Sequence, residues 1–193
     1  MKTIAKTLLL VLSLVATTAV PAQQQTFTVN TGTSSVAFGL TGTGHEVHGI
    51  FHVTSGSIQF DRTAARISGS IVVSAASGDS GDKGRDKNMR AQVLDVDRFA
   101  DVTFEPKSYT GTIAATGDST LQVSGVFTLH GAAHNITVPM QIHIDGSNLT
   151  AKGSFVVPYV QWGLKDPSIF ILKVAKEVHI DLTLAGSVSS ANY

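Results

Sequence analysis

Seven histidines are the residues of this sequence best suited to metal or proton chemistry, and His45, His48 and His52 crowd into one short segment. Imidazoles gathered within ~2 Å of a common point would hold zinc. The segment alternates in the manner of a strand, however, and a strand rises about 3.3 Å per residue with successive side chains on opposite faces. His45 and His48 then point apart, while His48 and His52 share a face about 13 Å from one another, too far to grip one ion. His130 and His134 flank a turn at Gly131, and His143 and His179 fall on the polar faces of their segments. Solvated or hydrogen-bonded histidines are expected, and no metal site.

The other chemistry-bearing groups assemble no better. Asp79, Asp82 and Asp86 lack the spacing of a calcium loop, and Lys83 and Arg85 interrupt them. No G-x-S-x-G elbow occurs for a serine nucleophile. The absence of cysteine removes thiolate catalysis, thiolate metal sites and disulfides together. Neither catalysis nor a cofactor is expected.

The elements that carry these residues are legible in the pattern from Gln23 onward, where apolar side chains recur at every second position. Ile67, Ile71 and Val73 form one such set; Leu121, Val123, Phe127 and Leu129 a second; Ile136, Val138, Met140, Ile142 and Ile144 a third; Val178, Ile180, Leu182 and Leu184 a fourth. Turn residues punctuate them at Thr31-Gly32, Ser55-Gly56, Gly117-Asp118, His130-Gly131 and Asp145-Gly146-Ser147-Asn148. Eight or nine strands with one dry face describe an all-β antiparallel sheet curled into a sandwich or barrel. Alternation stops between Ser77 and Gln92, where a charged loop leads into a short helix around Lys83 to Arg90, with strand resuming at Val102. A second irregular stretch, Pro158 to Pro167, holds the only tryptophan.

The N-terminus has another character. Lys2 and Lys6 precede an apolar run from Leu8 to Ala16, and small residues follow up to Ala22. This is the layout of a cleaved secretory signal over residues 1–22, and the apolar run is shorter than the ~20 residues a membrane span requires. Cleavage leaves residues 23–193 as one domain, periplasmic or secreted, and its fold must rest on buried apolar surface. The whole chain balances 14 basic residues against 14 acidic ones, so nothing in it suits nucleic acid.

Four segments in order resemble the YceI-like family of periplasmic proteins. The first is Gly44 to Asp61, GHEVHGIFHVTSGSIQFD, with its G-x-F step. The second is Arg85 to Tyr109, RDKNMRAQVLDVDRFADVTFEPKSY, similar to the family's R-D-x-x-hydrophobic-R helix and the Phe-led strand after it. The third is Val123 to Pro139, VSGVFTLHGAAHNITVP, with His134-Asn135 where a Lys-Pro pair is common. The last is Tyr159 to Ala185, whose Trp162-Gly163-Leu164 is similar to the family's F-G element, although the usual Arg-x-Asp lead-in is absent. The resemblance implies a lipocalin-like barrel of about eight strands with one short helix, binding an amphiphilic isoprenoid lipid of polyprenyl or quinone type. Membrane contact would be transient, and a homodimer is left open.

A barrel of that size can be filled by side chains or can hold one slender ligand. In a hollow barrel the lining would come from Phe38, Phe51, Phe104, Phe127, Met140, Ile142, Trp162 and Phe170, the large apolar residues of the dry faces and the irregular stretch. Arg85, Lys87 and Arg90, beside the free N–H groups at the start of their helix, would meet an anionic head group. In a filled barrel the same aromatics pack the core, the cations pair with Asp82 and Asp86, and the protein acts through partners as a stress or structural module.

Overall fold

Apolar alternation becomes antiparallel strand almost throughout the computed structural model, which describes residues 24–190 except 172. The signal segment expected at residues 1–22 lies outside the described residues. The strands are β1 (Gln24–Val29), β2 (Ser35–Gly42), β3 (His45–Phe51), β4 (Val53–Asp61), β5 (Arg66–Ser74), β6 (Asp101–Thr110), β7 (Gly117–Leu129), β8 (Ala132–Asp145), β9 (Asn148–Val157) and β10 (Val178–Ser190). Their order in the sheet is β1-β4-β5-β6-β7-β8-β9-β10-β2-β3, and β1 also pairs with β10. β10 carries β1 along its C-terminal half, with Phe27 opposite Val188, and β2 along its N-terminal half, with Phe38 opposite Ile180. Each of β1–β2 and β3–β4 is therefore one interrupted stave, and the barrel closes with eight.

Closure removes the sheet edges except along β3, and the period-two pattern then assigns one face to the interior. Leu121, Val123, Phe127 and Leu129 of β7 and Val138, Met140, Ile142 and Ile144 of β8 are all buried, with exposed or half-buried residues between them. Turn chemistry fixes the register. His130 and Gly131 both adopt positive φ, at 52° and 75°, so a two-residue turn of the twist-matched hairpin kind joins Leu129 to Ala132. The break between β1 and β2 is stitched by the buried Ser34, whose hydroxyl donates to the Asn30 carbonyl at 2.7 Å and accepts from the Ala185 N–H at 3.0 Å.

The two ends of the barrel differ. At one, short turns connect β4 to β5 and β8 to β9, and Tyr109 donates a hydrogen bond to the Asp61 carbonyl at 2.8 Å. The Asp61 carboxylate accepts from the Thr63 hydroxyl and from the Ala64 and Thr63 N–H groups, which hold its pKa below the ordinary range. At the other end, beside the two-residue turns of β2–β3 and β7–β8, the β5–β6 and β9–β10 connections are long. The β4–β5 ladder stops at Val53 opposite Val73, leaving β3 without a neighbour on that side. The segment after β5 crosses this gap and joins β3 through the reciprocal backbone bonds of Ile50 and Asp79, at 2.9 and 3.0 Å. It continues as a short helix, α1 (Lys83–Asn88), and a wider helical turn, Met89–Leu94, before β6 starts at Asp101. Helix and strand fall where the charge-dense stretch placed them.

Candidate functional site

The inward faces of the strands do not interlock along the axis. They enclose a cavity of about 870 Å³, in the upper part of the ~300–1,000 Å³ range of small-molecule sites. Every stave contributes apolar side chains to the wall, among them Phe27, Phe60, Ile71, Phe104, Val123, Met140, Ala151 and Leu184. Polar wall residues come only from the end with the long connections. Thr43 and His45 reach the cavity from the β2–β3 turn, Ser80, Arg85, Asn88 and Gln92 from the segment around α1, and Lys165, Asp166, Ser168 and Lys173 from the loop before β10. This wet rim is the mouth.

Hydrogen bonds rather than direct ion pairs organise the rim. Arg85 donates from Nε to the Ser80 hydroxyl at 2.7 Å and from Nη2 to the Ser80 carbonyl at 2.8 Å. The same serine gives its hydroxyl and its N–H to Asp86, a buried carboxylate whose pKa is lowered chiefly by that side-chain bond. Across the mouth, Lys165 donates to Gln92 at 2.8 Å, joining the loop before β10 to the helical turn. Tyr159 anchors that loop, donating to the Ala175 carbonyl at 2.7 Å, and burial pushes its phenol up to about 12. It stays a protonated donor at any physiological pH.

Residues 27–185, almost the whole described barrel, match the YceI-like domain. The chain belongs to the YceI-like family. Its barrel is also similar to solved structures. Burkholderia cenocepacia BcnA matches at 24% identity over 82% of this chain and 99% of its own, with a TM-score of 0.67. A polyisoprenoid binding domain from Saccharophagus degradans matches at 15% identity over 84% of this chain and 98% of that one, also with a TM-score of 0.67. A YceI protein of Campylobacter jejuni matches at 16% identity over 69% and 80%, with a TM-score of 0.56. At such identities these structures speak to the fold alone. None of the curated proteins is similar enough to the chain to count as a match.

Within this YceI-like barrel, Phe38, Phe51, Phe104, Phe127, Met140 and Ile142 face the cavity. Phe38 and Phe51 approach at 5.2 Å between ring centroids, near the gap beside β3. Trp162 and Phe170 are not in the wall. Trp162 packs on the rim instead, stacked on His134 at 3.8 Å and 5.9 Å from Phe127. Phe170 is 96% exposed. Of the three cations considered for a head group, Arg85 faces the cavity, whereas Lys87 is exposed away from it and Arg90 reaches back to the Gly78 carbonyl at 3.2 Å. The start of α1 is not free for an anion, because the Asp82 side chain accepts from the Arg85 N–H at 2.8 Å. Lys165, Lys173 and Ile169 at the mouth were not singled out from the sequence. A signal existed, a run of four apolar residues, Ile169 to Leu172, between lysines in a stretch with no strand alternation.

The histidines do not converge. Among the described residues no group of three or more His, Asp or Glu side chains is placed to hold a metal ion. His48 lies 3.2 Å from the Glu46 carboxylate and His143 2.7 Å from that of Asp118, both on the outer surface.

Proposed function

We propose that this protein is an exported, non-catalytic carrier that holds an amphiphilic isoprenoid lipid, of polyprenyl or quinone type, in the barrel cavity. The observation that carries the reading is the 870 Å³ apolar chamber with its polar groups confined to one rim. Family membership supports it, as does the likeness to a domain described as polyisoprenoid binding. Export to the periplasm or beyond rests on the layout of residues 1–22.

The size of the chamber suits a tail. At about 30 Å³ per water-sized group, 870 Å³ corresponds to roughly thirty carbons, or about six isoprene units. Burying ~25 methylene equivalents at ~0.8 kcal/mol each gives roughly 20 kcal/mol gross, near the ceiling for any non-covalent complex before ordering costs are subtracted. A bilayer offers the tail much the same environment, so the protein needs only a modest preference and a route for exchange. The head group stays at the rim, where the Arg85 guanidinium, oriented by Ser80, is the cation nearest the chamber.

The deciding experiment is solvent extraction of the protein purified from its own host, with mass analysis of what comes off. A stoichiometric isoprenoid lipid is expected; a barrel that is empty after mild purification and refuses isoprenoids on reconstitution would favour a module acting through protein partners. Ala151→Phe separates the two states of the interior. Ala151 is buried on β9 and faces the chamber, so a ring placed there fills empty space in a hollow barrel and overpacks a solid one, at about 1–3 kcal/mol. The variant should melt within a few degrees of the parent and retain less than a tenth of the lipid.

A further inference from the structure

Ile169, Phe170 and Ile171 are 62%, 96% and 77% exposed, and the next most exposed large apolar residue among the described ones, Ile50, is only 43% exposed. Three consecutive large apolar side chains in water are an unfavourable arrangement that a folded surface rarely keeps without a use. Their position is informative. Ile169 also belongs to the cavity wall, so the exposed tip and the mouth form one continuous apolar surface. The loop cannot turn its tip inward freely, because both of its bases are tied. Ser168 accepts from the Val174 N–H at 3.0 Å, and Lys173 accepts from the Thr43 N–H at 2.9 Å while its own N–H donates to the Thr43 hydroxyl at 2.7 Å.

Charge selects the partner. The chain as a whole balances its charges, yet the charged groups of the cavity wall are Arg85, Lys165 and Lys173 against Asp166 alone, with His45 beside them. An apolar tip collared by cations suits an anionic lipid surface, where the tip enters the acyl boundary and the lysines meet the head groups.

We propose that the tip Ile169-Phe170-Ile171, with Lys165 and Lys173 at its base, is a membrane-docking element, which seats the mouth of the barrel on an anionic bilayer with Phe170 inserted. The proposal rests on the reading of the cavity as a lipid site, because it supplies the place where lipid enters and leaves.

Flotation with vesicles tests it, using phosphatidylcholine alone and phosphatidylcholine with phosphatidylglycerol. The purified protein should float with the anionic vesicles and at least tenfold less with the neutral ones. Phe170→Glu and, separately, Ile171→Ser should weaken flotation at least tenfold while leaving melting temperature and binding of the short isoprenoid alcohol farnesol unchanged. Absence of flotation by the parent, or equal flotation by the variants, overturns the proposal. So does a joint loss of flotation and farnesol binding, which would make the loop a lid on the cavity. A change of oligomeric state in Phe170→Glu on size-exclusion chromatography, without a change in flotation, would assign the tip to a second copy of the chain. Failure of the parent to bind farnesol would instead count against the carrier reading, and the flotation result would still be read.

Discussion

Arg85 and Asp86 are neighbours in sequence with opposite charges, yet the described structure joins them through Ser80 rather than as a pair. Adjacent helical residues point in different directions, so a third residue is needed to bridge them. Ser80 accepts from the guanidinium and donates to the carboxylate, which orients Arg85 at the mouth while Asp86 stays buried. The Asp86 pKa is lowered from its ordinary value of 3.8, so its contribution to stability is complete above that pH and fades as the pH falls through the lower folded-state value. Asp86→Asn keeps one acceptor but loses the charge that strengthens both bonds. At pH 7 it should melt roughly 2–6 °C below the parent, and the gap should narrow as the pH falls below 3.8 towards the lowered value at which the parent's folded-state carboxylate protonates. A gap that stays constant down to pH 3, measured by differential scanning calorimetry, would show that the charge plays no part.

At the scale of elements, the tight turns and the long connections divide the work. The β7–β8 hairpin owes its register to His130 and Gly131, and a Cβ built on Gly131 would come within 2.5 Å of the Phe99 ring. Phe99 closes the segment that fills the gap beside β3, packs on His130 at 4.4 Å and lies under the Arg98 guanidinium. Gly131→Ala therefore strains a positive-φ position and displaces that contact together, and a drop in melting temperature of roughly 4–8 °C is expected; a loss under 1 °C would mean that the two elements are not coupled. Strands of this sort were legible because burial on one face leaves a period of two in the residues themselves, and β7 from Leu121 and β8 from Val138 bury every second residue, although Ser119 and His134 stand polar in the same phase. The helix was legible as the one place where alternation gave way to charge. The interruptions at Ser34 and His52 were not, since turn residues such as Thr31-Gly32 look the same where a chain reverses and where it resumes along the same stave, here with the inward phase shifted from Phe27 in β1 to Val36 and Phe38 in β2. The mouth was read only in part for a related reason. Arg85 announced itself by its charge, but Lys165 and Lys173 are ordinary loop residues until the topology brings that loop opposite α1, and Phe170 carries the same apolar signal in water as it would inside a core.

For the molecule as a whole, a chamber whose polar wall lies at a single end has consequences for traffic. Tyr109, Ile144 and Leu149 are buried at the far end, so a guest enters and leaves by the rim that bears the exposed tip. A tail whose burial is worth roughly 20 kcal/mol gross does not pass through water at a useful rate, because the barrier to leaving includes re-exposure of that whole surface. Transfer should therefore require contact between the barrel mouth and a bilayer, with the guest never fully solvated. The kinetics distinguish the two routes. If the lipid dissociates into water first, its rate of loss from the protein is independent of how many acceptor vesicles are present. If collision is required, the rate rises in proportion to vesicle concentration, increases with the fraction of anionic lipid and falls with added salt, since screening over about 8–10 Å weakens the attraction of the lysine collar. Stopped-flow transfer of a fluorescent polyprenyl analogue should show this proportionality, and Phe170→Glu should slow transfer at least tenfold while the equilibrium occupancy of the cavity is unchanged. A rate indifferent to acceptor concentration would mean that the rim releases its guest unaided, and the exposed tip would then need another explanation.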